Sequence, residues 1–387
     1  MELSVSGGYS QFWKAIIRPP RENYELKDLG PKELIIDGTR VRRTDLELTN
    51  PRGHNLKCSF FEIHESKRPE KELPCVIFLH GNCSSRKGSF DCLEYLLPQF
   101  IQLFTFDFSG CGMSEGDYIS LGWHERDDLQ CVIEYLRSSG KVSLIGLWGR
   151  SMGAATALLH GHRDPTIAGM VLDSPFSHLK QLAEELVSNN TKIPQFLTSM
   201  ALKMVRSSIQ SKANFDIFEL NPIDHVDTCF IPALFLAGDQ DDFVAPQHSK
   251  DIYEKYEGDK KLITFEGGHN GVRPDHVLQQ VAEFFYLTMQ CDAVQQRQTE
   301  LKIKQQREVE ELRQKLKKDE IKIKRFEQPL VIRNPSNPIN DDDYQSNQLS
   351  KYNSEDFQLG IDEDEEFKLA LIASIEQQKF EPSHRLN

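Results

Sequence analysis

The feature that most constrains this 387-residue chain is the segment at residues 141–155, KVSLIGLWGRSMGAA. An apolar run at residues 142–148, typical of a buried strand, leads directly into Gly-Arg-Ser-Met-Gly, and small helix-forming residues follow. G-x-S-x-G between a strand and a helix is the pattern of a nucleophile elbow, whose glycines let the helix pack close to the strand. The pattern predicts Ser151 as a catalytic nucleophile. The alternative is an ordinary glycine-rich turn with a capping serine.

Further apolar runs indicate the sheet to which this strand belongs. Two strand-like runs, at residues 34–48 with a break at Asp37-Gly38 and at 56–64, predict an antiparallel lead-in. A continuous apolar run follows at residues 73–79, and it is typical of a parallel strand that is buried on both faces. Further strands are predicted at residues 100–108, 168–172, 230–237 and 261–265. The sequence therefore predicts an α/β domain.

Two strand ends downstream of Ser151 carry groups that could activate it. Residues 230–237 are followed by Asp239, Asp241 and Asp242, and residues 261–265 are followed by His269. The carboxyl ends of parallel strands meet at one sheet edge, so a histidine there could take the serine proton while a carboxylate orients it. We predict His269 as the base and Asp241 as the acid, with Asp242 the next choice. The remaining acids would be solvated loop carboxylates.

The residues that follow the run at 73–79 suggest a site that stabilises negative charge during a reaction. His80-Gly81-Asn82 follows this strand, and acyl transfer needs backbone N–H donors where charge develops on the carbonyl oxygen. The interpretation we favour is that the amide of Asn82, or of Cys83, supplies one donor and that of Met152 the other. The alternative is a strand-end turn with a capping asparagine.

Two other loops look less informative. Residues 109–114 contain a Gly-x-Gly, but the last glycine of a dinucleotide fingerprint is absent, so a nucleotide site is disfavoured. Residues 124–128, HERDD, open a helix that ends near Leu136. Carboxylates in a first helical turn suit the macrodipole, so we predict a charged, solvated helix start rather than a metal site.

Residues 178–231 form a long helical excursion between strands, which predicts a cap over the site.

Composition narrows the setting. The net charge of −13 argues against nonspecific binding to nucleic acid or acidic membranes. The eight cysteines form no C-x-x-C pair, which favours reduced thiols in a cytoplasmic protein. Neither a signal peptide nor an apolar run long enough to span a membrane is evident. Residues 1–32 hold the apolar cluster Phe12-Trp13 and Ile16-Ile17, and we expect this extension to be strapped onto the domain rather than to touch a membrane.

Over residues 30–290 the chain resembles the α/β-hydrolase superfamily, in particular its serine-aminopeptidase-like branch with small esterases and thioesterases. The resemblance rests on residues 79–82, 107–114, 149–153, 238–244 and 268–269. It implies a hydrolase domain at residues 33–290 with about eight mostly parallel strands flanked by helices, and no metal or organic cofactor. In that family the acid lies three residues before a valine, which selects Asp241 with Val244. The HGGG loop of the lipase branch is absent, and residues 116–129 and 147–153 resemble an uncharacterised subgroup from plants and protists.

The composition changes after the hydrolase-like region. Residues 291–328 are rich in Lys, Glu, Gln and Arg, which predicts a long charged helix, and a single helix is favoured over a coiled-coil dimer because Gln305 and Asp319 interrupt the heptad. Residues 329–361 are predicted to be a disordered linker.

A short amphipathic helix is predicted at residues 362–380, where an acidic run precedes apolar positions at helical spacing. This segment resembles a ubiquitin-interacting motif. The resemblance implies ubiquitin-binding roles for Glu365, Glu366, Phe367, Ala370, Ser374 and Ile375. Gln377 stands where that motif usually has an acid. The alternative is an acidic helix that docks on its own hydrolase domain.

These observations predict a serine hydrolase that cleaves an ester, thioester or amide in a small acyl substrate or an acylated protein, with a tail that binds ubiquitin. Esters and thioesters are favoured over peptides because their leaving groups need less help from protonation. The alternatives are a serine peptidase and a ubiquitin-pathway adaptor that uses the hydrolase domain as a scaffold.

Overall fold

The computed structural model describes residues 12–190 and 195–326, with residues 190, 195–197 and 319–326 described by their backbone alone. The chain divides into two compact units, residues 1–299 and 300–387. Of the second unit, the structure describes residues 300–326, which are helical.

The first unit is built on a nine-stranded sheet. Its strands are β1 (Glu33–Ile36), β2 (Thr39–Thr49), β3 (Asn55–Ile63), β4 (Leu73–Leu79), β5 (Gln102–Phe106), β6 (Val142–Arg150), β7 (Gly169–Asp173), β8 (Ala233–Gly238) and β9 (Lys260–Phe265). Their order is β1-β2-β3-β5-β4-β6-β7-β8-β9. The β1–β2, β2–β3 and β3–β5 pairs are antiparallel, and the ladder from β5 to β9 is parallel. The predicted α/β class with a mostly parallel sheet is confirmed.

The sheet has one strand more than the eight that the resemblance implied. The run at residues 34–48 folds back on itself at Asp37 and Gly38, whose φ angles are 45° and 72°. Left-handed φ at two successive residues is the geometry of a tight hairpin turn, and it converts the run into the paired strands β1 and β2.

Helices of the first unit cover both faces of the sheet. They are α1 (Phe90–Leu96), α2 (Glu125–Ser138), α3 (Met152–Gly161), α4 (Leu179–Asn190), α5 (Gln195–Ala213), α6 (Pro246–Lys255) and α7 (Asp275–Thr288). A last helix, α8 (Cys291–Phe326), begins in the first unit and continues into the second. Side chains alternate along β4, so Ile77 packs with the core under α2 and α3 while Val76 and Phe78 pack with the core under α1 and α7. A strand buried on both faces explains the unbroken apolar run LPCVIFL.

The prediction of a solvated start for α2 is wrong. Glu125 is 1% exposed and accepts hydrogen bonds from the hydroxyl and amide of Ser120 and the amide of Gly122. Asp128 is fully buried and accepts from Asn50, Arg52 and the Ser109 amide. Both carboxylates are buried because they satisfy loop donors. The donors to Glu125 lie three and five residues before it, whereas those to Asp128 include Asn50 and Arg52 from a distant loop, so the burial of Asp128 has no local signal.

Residues 12–32 are strapped onto the domain. Trp13 and Ile17 are buried in the core, and the hydroxyl of the buried Tyr24 donates to the carboxylate of Asp107 at 2.5 Å. The excursion between β7 and β8 consists mainly of α4 and α5. No helix within residues 12–190 and 195–326 is long and apolar enough to cross a bilayer.

All eight cysteines lie in the described residues and are free thiols, six of them buried. The predicted linker at 329–361 and the predicted ubiquitin-binding helix at 362–380 lie outside the described residues.

Candidate active site

Ser151 occupies a sharp turn between β6 and α3. Its φ and ψ are 53° and −114°, a combination that non-glycine residues rarely adopt and that persists only where the surroundings enforce it. Here the Ser151 amide donates to the carbonyl of Asp173 at the end of β7, at 2.7 Å. The neighbouring strand therefore holds the serine in its strained conformation.

The two glycines of the motif are required by close backbone contacts. A Cβ atom on Gly149 would lie 2.3 Å from the carbonyl oxygen of Gly153, and one on Gly153 would lie 2.0 Å from that of Leu79. Both distances are far inside van der Waals contact, so any larger residue would push α3 away from the sheet.

Ser151, His269 and Asp241 form one hydrogen-bonded chain. The Nε2 atom of His269 lies 3.0 Å from the Ser151 hydroxyl, and its Nδ1 atom lies 2.7 Å from Oδ2 of Asp241. The three residues are 6%, 7% and 6% exposed, in the order Ser151, His269, Asp241. Because Nδ1 donates to a carboxylate, Nε2 is left as the acceptor that faces the serine.

Asp241 is fixed by the loop that carries it. Its Oδ1 atom accepts from the amides of Phe243 and Val244 at 3.0 and 2.8 Å. Burial alone would raise the pKa of the Asp241 carboxyl, but the hydrogen bond and charge of His269 together with these two amides hold it below its ordinary value. Asp239 and Asp242 are exposed, and Asp239 accepts from the Gly267 amide instead.

An apolar cavity of about 100 Å³ opens beside Ser151. Asn82 and Met152, whose amides were predicted as oxyanion donors, both line it. Its other lining residues are Ala15, Ile16, Leu121, Phe176, Leu179, Lys180, Leu182, Ala183, Leu186, Ile217 and Phe243. The wall thus combines the N-terminal extension, the cap helix α4 and the loop after β8.

The extension's part in this wall was not predicted, because a short apolar cluster far from Ser151 in sequence gives no sign of it. Three charged residues around the site were also missed. Arg150 and Arg273 both donate to the carbonyl of His269, and Arg273 is paired with Asp173. Arg150 lies within the motif, but nothing in the sequence marks Asp173 or Arg273.

A second serine–histidine–acid chain lies in the same molecule. The Ser177 hydroxyl is 2.7 Å from Nδ1 of His248, whose Nε2 atom is 2.9 Å from Oε2 of Glu185. Ser177 and His248 are 0% and 1% exposed, and Glu185 lies on α4. Ser177, His248 and Glu185 do not line the cavity at Ser151.

Comparison with known families is consistent with this geometry. Residues 70–222 match the family described as serine aminopeptidase, S33, and residues 155–330 match a family described as PhoPQ-activated pathogenicity-related protein.

Relatives match about three fifths of the chain at low identity. YqkD of Bacillus subtilis is 23% identical over 236 residues, which are 60% of this chain and 74% of that protein. The α/β hydrolase domain-containing protein WAV2 of Arabidopsis thaliana is 24% identical over 60% of this chain and 72% of its own length.

Solved structures share the fold. The esterase Pf2001 of Pyrococcus furiosus superposes with a TM-score of 0.54 and 24% identity, over 70% of this chain and 98% of that one. An acetyl xylan esterase from Paenibacillus sp. R4 gives a TM-score of 0.51 at 16% identity, over 73% and 96% of the two chains. The chain has the α/β-hydrolase fold.

Proposed function

We propose that the protein is a serine hydrolase that cleaves an ester or thioester with an apolar acyl group. The observation that carries the proposal is the chain from Ser151 through His269 to Asp241 at the mouth of an apolar cavity. The likeness to the serine aminopeptidase family and to two esterases supports a hydrolase.

The chemistry follows from the hydrogen-bond directions. Ser151 Oγ attacks the carbonyl carbon while its proton passes to Nε2 of His269, and the ion pair with Asp241 stabilises the imidazolium. The amides of Asn82 and Met152 would hold the oxyanion. The bond to the leaving group then breaks as that group takes the proton from Nε2. Water, activated by the same histidine, hydrolyses the acyl-enzyme and releases the acid.

The cavity favours an acyl group without charge. Its walls are mostly Leu, Ile, Ala and Phe. Among the described residues that line it, Lys180 alone has an ionisable side chain. Burying an apolar chain against them gives about 25 cal/mol per Å² of surface removed from water.

The decisive experiment is labelling of the full chain by a fluorophosphonate, followed by turnover of p-nitrophenyl and thioester substrates of increasing acyl length. Wild type should label and turn over, and Ser151→Ala should do neither. If folded wild type is not labelled and hydrolyses none of the substrates, the proposal fails, and the adaptor alternative, in which the domain is an inactive scaffold, replaces it. Turnover of peptide amides in preference to esters would instead identify a peptidase.

We further propose that the tail binds ubiquitin through residues 362–380, on the evidence of the sequence pattern alone. Full-length protein added to ¹⁵N-labelled ubiquitin should shift the resonances of ubiquitin's apolar surface. Ala370→Trp or Ser374→Ala should abolish the shifts, while Ala373→Trp, off the apolar face of the predicted helix, should retain them. Unchanged ubiquitin spectra at millimolar concentrations would exclude this role.

We further propose a cytoplasmic location, because the free cysteines, most of them buried, fit a reducing compartment.

A further inference from the structure

A buried ion pair lies directly behind the candidate active site. Asp173 ends β7 and is 2% exposed, and Arg273, in the loop after His269, is 6% exposed. The guanidinium meets the carboxylate in a bidentate arrangement, with both N–O distances at 2.8 Å. Such a fork fixes the relative position of its two partners more closely than a single contact would.

Each partner of this pair contacts one half of the catalytic pair. The carbonyl of Asp173 accepts from the strained Ser151 amide at 2.7 Å. Arg273 donates to the carbonyl of His269 at 3.1 Å and to those of Gly268 and Gly271 at 3.2 and 2.9 Å. The nucleophile's backbone and the base's backbone are thereby joined through one salt bridge.

Arg150, next to the nucleophile, contacts the same loop. Its guanidinium donates to the carbonyl of His269 at 2.8 Å and to that of Gly271 at 3.2 Å. The carbonyl of His269 therefore receives two guanidinium N–H groups.

We propose that Asp173, Arg273 and Arg150 act as positioning residues for the hydrolase reaction, by setting the separation of Ser151 and His269. This inference rests on the proposed function. We call the three residues the arginine bracket. None of them lines the acyl cavity, so they act on the reacting atoms through Ser151 and His269.

The test measures kcat and KM separately on a p-nitrophenyl ester. Asp173→Asn, Arg273→Gln and Arg150→Gln should each lower kcat by about 10- to 100-fold, because a misplaced base slows proton transfer from Ser151. Arg273→Lys keeps the charge but loses the fork, so kcat should fall by about the same factor. KM should change by less than about threefold in all four, since no cavity contact is altered.

The matched control is the ion pair between Arg68 and Glu62, whose side chains are 10% and 6% exposed. Arg68→Gln breaks a comparably buried pair outside the residues that line the cavity, and should lower the melting temperature while kcat per labelled site stays at the wild-type value. Fluorophosphonate titration of the active fraction separates slower chemistry from partial unfolding. Arg150 is only half-buried, so Arg150→Gln remains informative if the variants of the buried pair do not fold.

Wild-type kcat per labelled site in the variants of all three residues would overturn the proposal. So would a loss of the same size in Arg68→Gln. If wild type hydrolyses no ester, the imidazole resonances of His269 in the same variants, compared with those in Arg68→Gln, still show whether the ring is displaced. Failure of the bracket is then distinct from failure of the proposed function.

Discussion

The molecule contains two hydrogen-bonded serine–histidine–acid chains, and only one has the surroundings of an active site. In both, the histidine lies within hydrogen-bond distance of a serine hydroxyl and of a carboxylate. Ser151 stands on a strained turn at the edge of an apolar cavity. Ser177 is fully buried, has an unstrained backbone φ, and does not line that cavity.

The two hydrogen-bonded chains also connect different elements of the fold. His248 on α6 contacts Glu185 on the cap helix α4, so this chain fastens the cap to the sheet domain. The Ser177 amide also donates to Nδ1 of His248 at 3.3 Å, which leaves Nε2–H to donate to Glu185. The serine, histidine and carboxylate at this second position therefore have a structural role. We call Ser177, His248 and Glu185 the clasp. Access for a carbonyl carbon and nearby oxyanion donors distinguish a nucleophile, and a triad's connectivity alone does not.

The sharpest way to break this comparison is to delete each serine hydroxyl. Ser151→Ala should lower kcat by about a millionfold, as removal of a triad nucleophile does elsewhere. Ser177→Ala should leave fluorophosphonate labelling intact. Mass spectrometry of the labelled peptide locates the adduct, and an adduct on Ser177 would overturn the distinction.

The acid is tested by Asp241→Asn, which keeps the shape of the loop but favours the wrong histidine tautomer. The expected loss in kcat is about 10⁴-fold. Asp242→Asn, at an exposed neighbouring position, is the control and should retain wild-type kcat. An equal loss in both variants would mean that Asp241 does not act through His269.

The same variant gives a pH-dependent readout of stability. The pKa of Asp241 is lowered in the folded state, so its ionised form contributes stability above the ordinary carboxylate pKa of about 4, and this is lost as the pH falls through the folded value. The free energy of unfolding should therefore drop more steeply below about pH 4 in wild type than in Asp241→Asn. Urea titrations of wild type and Asp241→Asn across this pH range measure the two free energies of unfolding. Parallel curves of free energy against pH would contradict the expectation.

The cavity is tested by Ala183→Phe, which places a ring among the residues that line it. The ratio of kcat/KM for long over short acyl esters should fall by about tenfold or more, because a lost methylene contact is worth about 1–3 kcal/mol. Ser188→Phe, at an exposed position of the same helix, should leave the ratio unchanged. Equal ratios in the two variants would show that the acyl group binds elsewhere.

The smallest effect on activity is expected at the clasp. His248→Gln should lower the free energy of unfolding by about 1–3 kcal/mol, since buried polar partners lose their hydrogen bonds. Labelling of Ser151 should persist, and His276→Gln at an exposed position should change neither property. A loss of labelling in folded His248→Gln would show that the clasp also serves the active site.

Much of the fold follows from local patterns. The run LPCVIFL gave β4 its exact bounds, Leu73–Leu79, because a strand buried on both faces needs continuous apolar residues. The elbow was visible for a similar reason, since two close backbone contacts permit only glycine at positions 149 and 153. His269 could be predicted because the carboxyl ends of parallel strands share one edge. Each of these constraints acts over a few neighbouring residues.

The tertiary structure decided what depends on residues far apart in sequence. Three aspartates follow β8, and Asp241 is the one turned inward onto His269 because its loop amides hold it there. Asp173 and Arg273 are 100 positions apart and leave no periodic signal. Asp128 looks solvated in a charged helix start, and a distant loop with Asn50 and Arg52 supplies its partners. Strand pattern and turn chemistry are local and can be read from the sequence, whereas the partner of a buried charge is settled only when the whole chain packs.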